Sequence, residues 1–261
     1  TLRSPTRLPS LKIVAITSSL MGEALSPLGA FPLAFLIRFS IANRFPYVAA
    51  IVRNSSNSWS FACFASLILV KWVLTSAHCR KAGFIHRALL YHDFSNNRSH
   101  TYPIGFWRIH EKFDSKDPFR KYDIAVAKLN FGFFNSSIFA YTLKSAGFDN
   151  IAYEYVVATV WKTVVGIDKK LYLTNNFEKF DLKLAEPSVC YETYGIYLDD
   201  SMVCVDTSDY DDCFLHEYGP IFANNKVVGV IAVAPRYCSI KYTIFTNVPY
   251  FSSWILKTVS V

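Results

Sequence analysis

The side chains best equipped for chemistry gather in two stretches that lie far apart in the chain. KWVLTSAHC, residues 71 to 79, ends on His78 and Cys79; DDCFLHEYGPI, residues 211 to 221, carries Asp211, Cys213, His216 and Glu217. Imidazole and carboxylate groups move protons or hold metal ions. A zinc site built from His78, His216 and Glu217 would need the last two on one side of the backbone, whereas neighbours on an extended chain point to opposite faces. Their spacing follows no known zinc-hydrolase pattern either, so no metal and no other cofactor is expected. By composition, Asp211 is one more acid in a solvated loop that also holds Asp206, Asp209 and Asp212.

A scaffold must bring such distant residues together. The chain has 261 residues, 52% of them apolar, which is enough for one large core or two small ones. β-Branched residues dominate the apolar runs, as in KVVGVIAVA and YVVATVWKTVV, and sustained helical periodicity is scarce, so an all-β chain of many short strands is expected. The net charge of +7 comes from scattered Lys and Arg residues with no dense basic run, which argues against a nucleic-acid partner.

Six cysteines, Cys63, Cys79, Cys190, Cys204, Cys213 and Cys238, form no C-x-x-C pair and have no histidine at zinc-ligand spacing. Disulfides are the simpler reading and imply an oxidising compartment, and the sequons at Asn54, Asn97 and Asn135 suit a secreted glycoprotein. Arg3, Arg7 and Lys12 precede the apolar stretch IVAITSSLM, with Gly22 and Ala24 as small residues for a cleavage point, in the order of a signal peptide. The following PLGAFPLAFLI is too short and too interrupted by proline to span a membrane. Residues 1–43 therefore read as signal or propeptide material and residues 44–261 as the folded domain.

WVLTSAHC resembles the histidine segment of the chymotrypsin-like, or S1, serine proteases, whose usual form is W-V/I-L-T-A-A-H-C. Further segments are similar to that family in the same order: FPYVAAIV to its first strand, FACFASLIL to the C-G-G-S-L-I strand, and YDIAVAKL to the segment bearing its aspartate. Downstream, VATVWKT, SMVCV and YFSSWI match a central strand, a late strand and the start of the C-terminal helix. The resemblance implies two antiparallel β-barrels, at about 44–145 and about 146–249, and a helix at about 250–258. It also implies disulfides pairing Cys63 with Cys79, Cys190 with Cys204, and Cys213 with Cys238. His78 would be the general base and Asp123, 45 residues on, the carboxylate that orients it.

The family's nucleophile segment, C-x-G-D-S-G-G-P, aligns without a gap from Cys213 to Gly219 and Pro220. Glu217 then stands at the serine, Leu215 at the oxyanion-hole glycine, and His216 at the aspartate that receives the ammonium freed on activation. No segment like I-V-G-G precedes the domain to supply that ammonium. Asp211 falls where trypsin-like enzymes keep a specificity acid. Ala232, Val233 and Ala234 replace the S-W-G wall of that pocket and Thr243 replaces a floor glycine, so methyl groups are expected to fill it. The resemblance thus implies a secreted, monomeric, inactive homologue like the inactivated trypsin-like paralogues of arthropods, binding a protein partner in a proteolytic cascade or host interaction. The alternatives are an endopeptidase with residual or unconventional activity and a folded product of relaxed selection with no present role.

Overall fold

The computed structural model describes residues 47–55, 58–91, 100–130, 154–208, 219–234 and 239–260. The first six strands are β1 (Val48–Ser55), β2 (Ser58–Leu69), β3 (Trp72–Thr75), β4 (His86–Leu90), β5 (Thr101–Ile109) and β6 (Ala125–Leu129). They close in the order β1-β2-β3-β6-β5-β4 as an antiparallel barrel. The second six are β7 (Tyr155–Val165), β8 (Leu171–Ala185), β9 (Met202–Asp206), β10 (Ile221–Ala223), β11 (Lys226–Val233) and β12 (Tyr242–Asn247). These close as β10-β11-β12-β9-β8-β7. The fold is the all-β, two-barrel architecture that the resemblance implies. The expected boundary near residue 145, the segment 1–43 and the sequons at Asn97 and Asn135 lie outside the described residues, while Asn54 sits half-buried on β1 opposite Trp59.

Strands β3 and β11 are apolar on both faces because each meets barrel interior on one side and a neighbouring layer on the other. A single core cluster joins Ile51, Leu67 and Leu74 of the first barrel to Trp161, Phe177 and Phe222 of the second. Tyr91 stacks on Phe177 at 4.0 Å and meets Trp161 edge-on at 5.1 Å, so the barrels share their packing.

Two helices complete the described chain. Helix α1 (Pro187–Tyr194) was not anticipated from periodicity, yet its punctuation is in the sequence: Pro187 starts it, and Gly195 ends it at φ 68° with its N–H bonded to the Tyr191 carbonyl at 2.7 Å. Helix α2 (Ser252–Val259) follows a 3-10 turn at Val248–Phe251 and buries Ile255. Neither is long and apolar enough to cross a membrane.

Two disulfides fall among the described residues, Cys63–Cys79 and Cys190–Cys204, both as the resemblance implies; Cys213 and Cys238 lie outside them. The second bridge closes α1 onto β9 over a separation of 14 residues, a loop whose cross-link contributes about 3 kcal/mol in the chain-entropy account. Replacing both Cys190 and Cys204 by Ala is expected to lower the unfolding free energy by about that amount in urea titration; an unchanged midpoint would refute it.

Two buried histidines make stability depend on pH. The Lys81 N–H donates to Nε2 of His86 at 3.4 Å and the Lys112 N–H to Nδ1 of His110 at 3.2 Å, and each bond needs a ring nitrogen without a proton. Burial pushes both histidines below the ordinary value of 6.5, against smaller opposing effects from the Phe84 backbone on His86 and Glu111 on His110. As pH falls through 6.5 the unfolded chain binds protons first, so this stability is fully present above 6.5 and is lost below it. The urea midpoint should drop between about pH 7 and pH 5.5, and a His86→Gln, His110→Gln variant should flatten the slope. Identical slopes would exclude this origin.

Candidate active site

His78 is held by the turn that ends β3. After Thr75 the chain passes Ser76 and enters a single 3-10 turn, Ala77–Cys79, whose last residue is bonded through its sulfur to Cys63 of β2. Thr75 Oγ1 donates to the Phe64 carbonyl at 2.7 Å, which pins the same corner a second time. His78 therefore has little freedom of position.

Asp123 precedes β6 and is wholly buried. Its Oδ1 accepts the His78 backbone N–H at 2.9 Å, and its Oδ2 accepts from His78 Nδ1 at 2.6 Å. One carboxylate thus fixes both the backbone and the ring of His78, and puts the ring proton on Nδ1 because a carboxylate only accepts. Thr246 Oγ1, on β12 of the second barrel, donates to the Asp123 carbonyl at 3.0 Å. A histidine held in this way presents Nε2 as the edge that exchanges a proton with a nucleophile. Nε2 lies 3.8 Å from Cys63 Sγ. His78, Cys63 and Cys79 are close enough to suggest a metal trio, but the two sulfurs are bonded to each other and offer no thiolate.

The loop before Asp123 also reaches across the groove between the barrels. Arg120 Nη1 donates to the Ala232 carbonyl at 3.1 Å, and Lys121 Nζ pairs with Asp199 Oδ2 at 3.1 Å. Ser76 Oγ donates to the Ile231 carbonyl beside it. Strand β10 pairs with β11 only between Lys226 and Gly229, so beyond that point β11 has β12 as its one strand neighbour among the described residues. An extended peptide adds to such a strand end through backbone carbonyls. Side chains of the first barrel already occupy the Ile231 and Ala232 carbonyls.

Of the remaining residues singled out in the sequence, Thr243 is wholly buried on β12 opposite Val205, its Oγ1 without a hydrogen-bond partner among the described residues. Ala234 is half-buried against the second barrel's apolar cluster. Asp211, Cys213, Leu215, His216, Glu217 and Cys238 lie outside the described residues. The frame after them is described: the Gly219 N–H donates to the Thr159 carbonyl at 2.8 Å, and a Cβ at Gly219 would come within 2.2 Å of that oxygen. Arg120, Lys121, Ser76 and Thr246 were missed by sequence reasoning, because nothing in a polar side chain's neighbours along the chain announces a partner more than 75 residues away.

A protein-family profile described as Trypsin matches residues 38–255. The chain belongs to the trypsin family. Among relatives, trypsin iota of Drosophila melanogaster is 24% identical over 200 residues, spanning 72% of this chain and 75% of that protein. Brachyurin of Leptuca pugilator is 27% identical over 222 residues, spanning 83% and 94%. The solved structure of neuropsin, a serine protease expressed in mouse brain, superposes with a TM-score of 0.65 at 20% identity over 83% of this chain and 96% of that one, a likeness of fold. This trypsin-like serine protease domain keeps a hydrogen-bonded His–Asp pair between its barrels.

The close approach at Gly219 gives a test of the frame. Gly219→Ala should cost about 1–3 kcal/mol by forcing β7 and the Gly219–Pro220 segment apart, read as a lower urea midpoint. A neutral substitution would show that the segment yields freely.

Proposed function

We propose that this trypsin-family domain is a secreted pseudoprotease that does not hydrolyse peptides and serves as a binding or regulatory protein. The observation that carries the reading is the gap-free count from Cys213 to Gly219 and Pro220, which puts Glu217 where the family has its serine. A glutamate has no hydroxyl to attack with. Attack by its carboxylate on a peptide would form an anhydride with no favourable path onward, and its charge near His78 would favour imidazolium, which cannot take a proton. Leu215 adds a side chain where the family keeps the backbone bare for the oxyanion, and His216 removes the acid that orders the segment after activation. Loss of a nucleophile costs about a millionfold in turnover, and loss of an oxyanion donor about a hundred- to a thousandfold. Disulfide-bonded cysteines support an extracellular location.

A second reading, an endopeptidase of residual activity, draws on the 2.6 Å His78–Asp123 hydrogen bond, the machinery of a general base. One experiment separates the two. The full chain, cysteines oxidised, is incubated with a fluorophosphonate probe and with peptide substrates, before and after limited proteolysis near residue 44. Neither labelling nor turnover is expected. Labelling, or turnover that disappears in His78→Ala, would establish the second reading instead. Glu217→Ser alone is expected to remain inactive, because Leu215 and His216 still occupy the oxyanion and activation positions; robust turnover from that variant would overturn their assigned weight.

A further inference from the structure

Where α2 crosses the first barrel, a groove of about 570 Å³ opens whose lining includes neither His78 nor Asp123. That volume is within the range of clefts that take ligands, about 300–1,000 Å³. Its floor is set by sheet register. Lys128 on β6 lies opposite Trp72 of β3 on one side and opposite Phe106 of β5 on the other, so the three side chains form one row across the sheet. Trp72 is buried and meets Phe106 edge-on at 6.3 Å, while Phe106 is 46% exposed. The Lys128 ammonium lies 5.1 Å from the Trp72 ring centre, and the Arg108 guanidinium 5.8 Å from that of Phe106. Lys257 of α2 lines the facing wall beside Trp254.

The lining carries three cations, Arg108, Lys128 and Lys257, against one carboxylate, Glu111. Arg108, Lys128 and Lys257 have no ion-pair partner among the described residues. Glu111 keeps its negative charge and is turned toward Trp254, whose Nε1–H donates to Oε2 at 3.0 Å, so the cations outnumber it in the groove. Phe106 stands half-exposed among these cations. Aromatic surface rewards an apolar side chain that covers it, and three flanking cations reward carboxylates placed around that side chain. Three cations around rings are too sparse for a densely sulfated polymer and suit a short acidic segment.

We propose that this groove docks an acidic peptide segment of a partner protein, which lays an aromatic or branched aliphatic side chain on Phe106 and sets its carboxylates against Arg108, Lys128 and Lys257. The site is independent of whether the catalytic residues are silent, and its test does not read hydrolysis.

Fluorescence anisotropy of a labelled twelve-residue peptide rich in Asp and Glu with a central Phe is measured against the full chain, beside a Phe→Ala version, a Lys-rich version and a sulfated oligosaccharide. The acidic Phe peptide should bind, weaken as salt rises, and lose about tenfold in affinity on Lys128→Glu and on Lys257→Gln, the latter at an exposed position. Its Phe→Ala version and the Lys-rich peptide should bind at least tenfold more weakly, and Phe106→Ala should erase the preference for Phe. The proposal is overturned if the acidic peptide fails to bind, if both charge variants leave its affinity unchanged, or if the oligosaccharide binds through the same lysines more tightly than the peptide.

Discussion

A carboxylate with no solvent exposure is costly unless every lone pair it turns inward finds a donor. Asp123 meets that demand from residues that sequence keeps far apart: the backbone and ring of His78, 45 positions earlier, supply both carboxylate contacts, and Thr246, 123 positions later, holds the carbonyl. The turn at Ala77–Cys79 has to sit where its N–H reaches Oδ1, which is why the Cys63 bridge and the Thr75 hydroxyl fasten the same corner. Strand β12 has to approach from the other barrel. The buried charge thus fixes the His78 corner within the first barrel, and the backbone of Asp123 ties that corner to the second.

That constraint persists whatever stands at position 217. Asp123 is held by structure: it is the acceptor for both the backbone N–H and the ring Nδ1–H of His78. Gly219 is also held by structure, through its approach to the Thr159 backbone. His78, Asp123 and Gly219 are thus each held by packing and hydrogen bonding that owe nothing to turnover.

Sequence legibility tracked how local each signal is. The histidine segment, the strand runs and the two described cysteine pairs could be read because each is a contiguous pattern or a spacing preserved by the resemblance. Helix α1 was overlooked for its weak periodicity, although Pro187 and Gly195 mark both ends. Contacts set by register or by long reach were invisible. The row Trp72, Lys128, Phe106 exists only because three strands align at one level, and a slip of one residue in β6 would turn Lys128 to the other face. Arg120 reaches Ala232 from a loop whose sequence reads as an ordinary charged turn.

The core cluster shared by the barrels carries a different implication. Trp161, Phe177 and Phe222 bury their rings among residues of the first barrel, and Tyr91 closes over two of them. Neither barrel has a finished surface at that seam. In evolution the two therefore travel as a pair: recombination that brought in a foreign half would import a seam cut for another partner, so diversification is channelled into the loops and into faces such as the one beside α2.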